Sequence, residues 1–291
     1  MKNSEQITKL LGLVTLYNPK AQETAGNILR YIHDVDTLII WDNSPLENQL
    51  KEQIMAFLGE SGHKVIWKGN GLNYMIAPAI NFAWHYAQEN KYQLILLMDQ
   101  DSQWEDFHAF KSDFEKLYQT SPDYVFCPYI IGNDNFSIVK EVQEKRIFIT
   151  SGTIIPTAIL NKISGADDAF PLDALDHDLA IRIQKAGYTI VCLTKHILHH
   201  TVGDPQFMGP FHLGTDNYGP QRIYSITRSH IIKYRKHKDW LTFSENKKTF
   251  KKHYFDKFIR IILAEPQKAA RLRSFFRGIY DGITYDIKKV K

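Results

Sequence analysis

The first hundred residues alternate short apolar runs with segments whose apolar positions recur at helical spacing, and each run ends in a polar turn. Residues 10–16 read as a buried strand that stops at Tyr17-Asn18-Pro19, and Ala25, Ile28, Leu29 and Ile32 mark the next helix face. Residues 37–41 stop at Asp42-Asn43-Ser44-Pro45, with Leu50, Ile54, Phe57 and Leu58 following. Residues 64–67 stop at Gly69-Asn70-Gly71, with Ile76, Ile80, Ala83, Trp84 and Ala87 following. Residues 94–98 stop at Asp99-Gln100-Asp101. Uninterrupted apolar runs alternating with helices predict an α/β fold whose sheet is covered on both faces. Beyond Ser102 the order is less regular. Strands are predicted at 124–131, 146–150 and 189–193, and a helix over 176–186 that Gly187 stops, while Ser151-Gly152-Thr153 and Pro156 punctuate the middle.

In open parallel sheets, ligands bind beyond the carboxyl ends of the strands. Asn18, Asp42, Asn43, Asn70, Asp99 and Asp101 all fall at such ends and are expected around one cleft. No GxGxxG follows the first strand and no GxxxxGK[ST] occurs, which argues against a nicotinamide dehydrogenase or a P-loop NTPase.

With 291 residues, 44% hydrophobic and 23% charged, the chain can bury a sizeable core. Wholesale disorder is excluded. The longest aliphatic run, 94–98, is far short of the roughly 20 apolar residues that cross a bilayer, and the start lacks the pattern of an export signal. A cytosolic address is expected. Cys127 and Cys192 read as buried thiols, so neither a disulfide scaffold nor a cysteine zinc site is expected.

The net charge of +4 hides an asymmetry: residues 1–229 hold 19 Lys and Arg against 26 Asp and Glu, and residues 230–291 hold 17 against 6. A catalytic domain over 1–229 and a basic helical region over 230–291 follow. In the latter, Phe250, Tyr254, Phe255, Phe258, Ile261 and Ile262, and then Leu272, Phe275, Phe276, Ile279 and Ile283, recur at about helical spacing among Lys247, Lys248, Lys251, Lys252, Arg271, Arg273 and Arg277. Such stripes either pack on the body or lie on an anionic membrane surface. Nucleic acid is not expected as a partner, because no recognised binding motif accompanies the charge.

Asp99 and Asp101 follow an apolar strand directly, where oxygen ligands suit Mg²⁺ or Mn²⁺ bound to a diphosphate; a solvated turn capped by Asp101 or Ser102 is the alternative. Asp173, Asp176 and Asp178 stand at a helix start, favoured there by the helix dipole, and a carboxylate facing a cleft also suits a general base. Of His196, His199 and His200, a neutral imidazole can complete the shell of a borderline cation such as Mn²⁺. No nucleophile elbow or reactive cysteine context is present.

Taken in order, Thr15-Leu16-Tyr17-Asn18-Pro19, Trp41-Asp42-Asn43-Ser44, Gly71-Leu72-Asn73 with Ala77 and Asn81, Asp99-Gln100-Asp101-Ser102, Ser151-Gly152-Thr153, Leu172-Asp173-Ala174-Leu175-Asp176-His177-Asp178 and His200-Thr201-Val202-Gly203 resemble family 2 glycosyltransferases. Within them the resemblance is to the bacterial rhamnosyltransferase branch, over residues 8–230. It implies a GT-A fold, a Rossmann-like mixed sheet flanked by helices. It also implies a nucleotide-sugar donor and inversion at the anomeric carbon. Thr15, Tyr17 and Asn18 fall where the family holds the nucleotide, Asp42 at the acid that contacts the base, with Asn43 beside it, and Asn73 in the loop over the donor. Asp99, Gln100 and Asp101 match the motif for metal and diphosphate, His200 a further metal ligand, and Asp176 the general base. Where relatives commonly carry an acid followed by Trp, this chain has Asp178-Leu179, so Asp176 and Asp178 both stay candidates for the base. Arg222, Tyr224 and Arg228 resemble a basic and aromatic segment that follows the catalytic domain.

The implied reaction moves L-rhamnose from dTDP-rhamnose onto a saccharide or lipid-linked saccharide in cell-surface polysaccharide synthesis; if the basic region lies on the cytoplasmic membrane face, a lipid-linked acceptor is presented there. Another donor such as UDP-galactofuranose, a nucleotidyl transfer and a noncatalytic scaffold are the alternatives.

Overall fold

The structure, a computed structural model, describes residues 8–46, 49–131, 134, 136–200 and 206–288. The chain start, on which the expectation of no export signal rests, and Thr201-Val202-Gly203 of the histidine motif lie outside the described residues. The chain divides into two compact units. The first runs to Ala166 and resumes from Arg182 through the ninth strand, and the second takes 167–181 and the remainder.

The predicted alternation is present. β1 (Leu10–Leu16), α1 (Ala21–Leu29), β2 (Thr37–Asp42), α2 (Leu50–Leu58), β3 (Val65–Lys68), α3 (Ala77–Glu89) and β4 (Leu94–Asp99) form in turn. After them come β5 (Gln103–Trp104), α4 (Phe107–Thr120), β6 (Tyr124–Ile131), β7 (Val142–Glu144), β8 (Thr153–Pro156), α5 (Thr157–Ile163), α6 (Leu175–Lys185) and β9 (Thr189–His199). One nine-stranded sheet runs β3-β2-β1-β4-β8-β6-β9-β5, with β7 added on β9. β3, β2, β1 and β4 are parallel, whereas β8 lies antiparallel between β4 and β6. The sheet is therefore mixed.

Apolar continuity in β1, β2 and β4 reflects burial on both faces: Leu10, Leu11, Leu38, Ile39, Ile40, Leu94, Ile95 and Leu96 are fully enclosed. Each such side chain contributes about 1.5–3 kcal/mol of hydrophobic stabilisation. The Asp106 side chain accepts the Ala109 N–H at 2.9 Å and starts α4, which lays Phe107, Phe110 and Phe114 in the core with Trp104.

The strand expected at 146–150 does not form. β7 takes its place on β9, pairing Val142 with Leu193 and Glu144 with Val191, and the Lys145 N–H reaches Ile190 O. Since β9 begins at Thr189, the chain beyond Lys145 has run past its partner, and Phe148 is buried as an isolated anchor. The strand predicted at 189–193 continues to His199. Cys127 and Cys192 face each other in the register of β6 and β9 as buried free thiols.

In the second unit, β10 (Gln206–Met208) and β11 (Leu213–Thr215) form an antiparallel pair, and α7 (Pro220–His237), α8 (Phe243–Phe250), α9 (Lys257–Leu263) and α10 (Lys268–Thr284) follow. A π-helical turn, Lys251–Asp256, joins α8 to α9. Pro220 opens α7, and a capping box of Thr242 and Glu245 opens α8. α7 and α10 approach closely because Gly278 and Gly282 lack side chains: a Cβ at Gly278 would overlap Thr227 Oγ1, and one at Gly282 would lie 2.9 Å from Ile231. Ile223, Ile261 and Phe275 form the core of this unit, with Tyr254, Phe258 and Leu272 packed on it.

The basic stripes divide. Ile261 and Phe275 point inward, while Phe250, Phe255, Phe276, Tyr280 and Ile283 are exposed. Two of the charges are buried: Lys257 Nζ and Arg271 Nη1 hold opposite oxygens of fully enclosed Glu265 at 2.9 and 2.7 Å, and the Thr215 hydroxyl donates to the same carboxylate. Glu265 is desolvated, yet these donors outweigh the desolvation and hold its pKa below the ordinary glutamate value.

Candidate active site

Register brings the candidate residues of the first unit together. Thr15 on β1 pairs beside Asp99 on β4, and Leu16 pairs beside Asp42 on β2, so the three strands end side by side. Gln100 locks the loop after β1: its Oε1 accepts the Tyr17 N–H at 2.7 Å and its Nε2 donates to Tyr17 O at 3.3 Å. Asn18 takes a left-handed backbone (φ 47°), which asparagine tolerates better than most residues, and its N–H donates to Ser44 Oγ at 2.8 Å. The Ser44 N–H in turn donates to Asp42 Oδ1 at 2.8 Å.

Asn43 is buried and fully engaged. Its Oδ1 accepts from Trp41 Nε1 at 3.2 Å and from the Tyr74 N–H at 2.8 Å, and its Nδ2 donates to Met75 O at 3.2 Å. The end of β2 is thereby tied to the segment before α3. There, Asn73 Oδ1 accepts the Met75 N–H at 2.9 Å, and the Asn73 side chain is exposed. Trp41 and Tyr74 pack edge to face at 6.3 Å beside Asp42, and Tyr17 is 53% exposed.

Past Asp101 the chain enters β5, whose pairing of Gln103 with His199 sets the end of β9 against the acidic turn. One carboxylate oxygen each of Asp99 and Asp101 and one ring nitrogen of His200 all lie within 4.8 Å of one another, a spacing that one hard cation can bridge. The two carboxylates and an imidazole form a donor set that suits Mn²⁺ or Mg²⁺. A chain of hydrogen bonds braces the cluster. The Asp99 N–H donates to Ser151 Oγ at 3.1 Å, Ser151 Oγ donates to Ser102 Oγ at 2.7 Å, and Ser102 Oγ meets His200 Nδ1 at 2.8 Å. Both serines are fully buried. Gly152, at φ +77°, makes the turn that aims Ser151, and a Cβ there would meet Leu198 at 2.7 Å. Burial pulls the His200 imidazole down, but the Asp101 hydrogen bond and the charges of Asp99 and Asp101 outweigh it, so its pKa lies above the ordinary histidine value.

The neighbouring histidines take other work. His196 Nε2 pairs with Asp113 at 3.0 Å and His199 Nε2 with Glu105 at 2.7 Å. Ser102 and Ser151 lie within motifs quoted from the sequence, but nothing local to either ties it to His200. The signal is indirect, a glycine with positive φ directly after a buried serine.

In the second unit, the acids of the α6 turn have three different surroundings. Asp173 is desolvated, which pushes its carboxyl up, and it pairs with Arg222 at 3.0 Å. Asp178 is fully buried and bonded to buried His237 Nε2 at 2.8 Å. Asp176 is half-buried, and its Oδ1 accepts the neighbouring His177 N–H at 2.8 Å. Tyr224 donates to Asp281 at 2.8 Å, and Arg228 donates to Ala169 O at 3.0 Å and covers Tyr285, so this basic and aromatic segment braces its own unit.

No model of a known protein family matches this sequence, and no curated protein does. Solved structures do. The chain is similar to GalNAc-T7, solved with UDP, GalNAc and Mn²⁺, at 11% identity and a TM-score of 0.59, covering 95% of this chain and 57% of that one. It is similar to S. aureus TarS at 14% identity and a TM-score of 0.58, covering 95% of this chain and 49% of that one. It is also similar to TarS 1–349 in complex with UDP-GlcNAc, at 13% identity and a TM-score of 0.56, covering 81% of that chain. This chain thus spans about half the length of the first two. The fold is that of the GT-A glycosyltransferases.

Proposed function

We propose that this protein is a glycosyltransferase that uses a divalent cation to move a sugar from a nucleotide sugar onto a hydroxyl, inverting the anomeric carbon. The observation that carries this reading is the meeting of Asp99, Asp101 and His200 at the end of β4 within a GT-A fold. Held there, Mn²⁺ or Mg²⁺ supplies positive charge against a departing diphosphate. Asp42 and the Trp41 and Tyr74 rings suit a nucleoside, whose ribose and base offer hydroxyls and a planar face. Thr15 and Tyr17 line the same strand ends, and Asn73 lies on the loop after β3. Gln100, Asn18 and Asn43 act through the backbone they hold.

Asp176 is assigned the acceptor's proton, because a half-buried carboxylate on a first helical turn can reach a substrate hydroxyl. Asp178 is set aside: its burial and its bond to His237 leave it no path to an acceptor. With one displacement and no enzyme nucleophile, configuration inverts.

For the donor, the motif order favours dTDP-L-rhamnose. A second reading, a UDP-sugar, is favoured by the ligands of the similar structures, UDP in GalNAc-T7 and UDP-GlcNAc in TarS 1–349. The acceptor is a saccharide or lipid-linked saccharide. The exposed Phe250, Phe255, Phe276 and Tyr280 beside Lys247, Lys248, Arg273 and Arg277 suit an anionic membrane surface on the cytoplasmic side. No described helix is long and apolar enough to cross a membrane.

A panel of nucleotide sugars, scored by thermal shift with and without Mn²⁺ and by release of nucleoside diphosphate, tests the reading. One donor is expected to raise the melting temperature only with the metal. Failure of every donor to bind would leave a noncatalytic scaffold.

A further inference from the structure

Lys233, on α7, is 2% exposed, yet its ammonium makes no hydrogen bond or ion pair among the described residues. Three residues earlier on the same helical face lies His230, 7% exposed, whose Nδ1 is buried with no hydrogen-bond partner. His177 of α6 stands edge-on to His230 at 6.3 Å, and its Nδ1 is also buried with no partner. His253 stacks on His230 at 3.9 Å, carried by the π-helical turn. Turns of this kind occur often at functional sites.

This cluster is not arranged as a cation site. The only set of three metal-ligand groups within bridging distance among the described residues is Asp99, Asp101 and His200. Nor is Lys233 neutralised from within. Asp176 and Glu245 raise its pKa, but neither lies within ion-pair distance, and burial outweighs both, pushing it down to about 8. Lys252 adds further positive charge around His230 and His253. A buried ammonium, with two unpartnered Nδ1 atoms that donate when the neutral rings carry their proton there, matches an anion with several acceptor oxygens. A phosphate presents its oxygens tetrahedrally, two unbridged in a diester and three in a monoester, whereas a carboxylate confines its two to one plane.

We infer that Lys233, His230 and His177 form a phosphate-binding subsite next to Asp176, and that the acceptor hydroxyl belongs to a phosphate-bearing molecule. The second half rests on the transferase reading; the first does not. Sequence adjacency gives the link: His177 directly follows Asp176, whose charge acts on both His177 and Lys233. A phosphate anchored by the lysine would hold an alcohol near the carboxylate that takes its proton.

The test uses the full chain with inorganic phosphate as probe, at constant ionic strength against chloride. Histidine side-chain resonances are followed by ¹H–¹⁵N NMR, and stability by thermal shift. Saturable changes at His177 and His230 are expected, together with a rise in melting temperature. Lys233→Met should weaken phosphate binding at least about tenfold, because it removes a charged hydrogen bond. Without phosphate, the same variant should melt higher than wild type, since it removes an uncompensated buried charge. A lysine that merely supports the fold gives the opposite. No saturable change in wild type, equal binding by Lys233→Met, or a variant that fails to fold each overturns the subsite.

For the acceptor half, nucleoside diphosphate release is measured with glycerol 3-phosphate, with phosphatidylglycerol vesicles and with neutral saccharides. Stimulation by either phosphate compound supports it, and which one stimulates separates a soluble from a lipid-borne acceptor. Stimulation by neutral saccharides alone overturns it. If no donor binds, the transferase reading fails, while the inorganic phosphate titration still decides the subsite.

Discussion

Replacing Ser102 by alanine isolates the brace of the candidate metal cluster without touching a ligand. The substitution removes the 2.8 Å bond to His200 Nδ1 and the acceptor that Ser151 Oγ uses at 2.7 Å. Both serines are fully buried, so no solvent replaces the lost partner. A stranded buried donor costs about 1–3 kcal/mol and the lost bond about 1 kcal/mol more, so the folded state should weaken by about 2–4 kcal/mol. His200 then keeps only its 3.4 Å contact with Asp101 to orient it. Loss of such an outer partner lowers metal affinity about 10- to 100-fold. Urea denaturation reads the first quantity, and electron paramagnetic resonance of free Mn²⁺ reads the second. Because the carboxylates raise the His200 pKa above the ordinary histidine value, protons compete with the metal for the imidazole, and Mn²⁺ affinity in wild type should climb with pH until the ring is neutral. Ser102→Ala that loses stability but binds Mn²⁺ as tightly as wild type refutes the claim that this serine chain positions a ligand. Wild type that binds no Mn²⁺ refutes the cluster as a cation site.

Four further outcomes are expected. Asp176→Asn should change stability by no more than about 0.5 kcal/mol and cut turnover about 10²- to 10⁴-fold, whereas Asp178→Ala should cost about 3 kcal/mol by stranding His237; urea denaturation and nucleoside diphosphate release separate the two, and the reverse pattern moves the base to Asp178. Glu265→Ala should destabilise by about 3–5 kcal/mol, because Lys257 and Arg271 stay buried without their counter-charge, and a loss below about 1 kcal/mol in denaturant melts would deny the triad a structural role. Since burial lowers the Lys233 pKa from 10.5 to about 8, the charged lysine costs about 3 kcal/mol below pH 8; wild type should gain stability relative to Lys233→Met as pH rises from 8 towards 10.5, and a flat difference contradicts this. Full-length protein should cosediment with phosphatidylglycerol but not phosphatidylcholine vesicles in low salt, and Phe250→Ser with Phe255→Ser should reduce it; equal partitioning to both lipids defeats membrane docking.

The parallel half of the sheet was legible because burial on both faces leaves no alternation to disguise it. Residues 10–16 and 94–98 read as strands, and the acidic turn after β4 followed at once. β8 and β5 were hidden by length. With four residues after Gly152, the closing proline included, and two residues after a turn, neither gives a periodic signal. Periodicity also failed in the basic region for a physical reason: the doublets Ile261-Ile262 and Phe275-Phe276 put apolar side chains on two faces, so the pattern cannot say which face is buried. The polar brace was out of reach altogether, since its bonds join residues 49, 52 and 98 positions apart. The different surroundings of Asp176 and Asp178 were out of reach too, since the Asp178 partner, His237, lies 59 positions away.

The two units differ in how their polar side chains are satisfied, and that difference carries the functional argument. In the first, Gln100, Asn43, Ser102 and Ser151 are bonded to protein, which fixes the loops and the candidate cation ligands. On the proposed function, such preorganisation would leave little reorganisation for the bond-breaking step. In the second, Lys233 Nζ has no bonding partner among the described residues, and His177 Nδ1, His230 Nδ1 and Asp173 Oδ2 are buried without one. Native folds satisfy nearly all buried polar atoms, so a concentration of exceptions beside a candidate base calls for a cause. Unpartnered buried polar atoms also occur at Tyr31 Oη, Ser229 Oγ and Arg271 Nε, but two ring nitrogens and an ammonium within one cluster complement a single oxyanion. Binding there would remove several penalties at once. The stability of this unit should therefore respond to phosphate more steeply than a surface lysine patch would, and the response should shift to at least about tenfold higher phosphate when Lys233 alone is replaced.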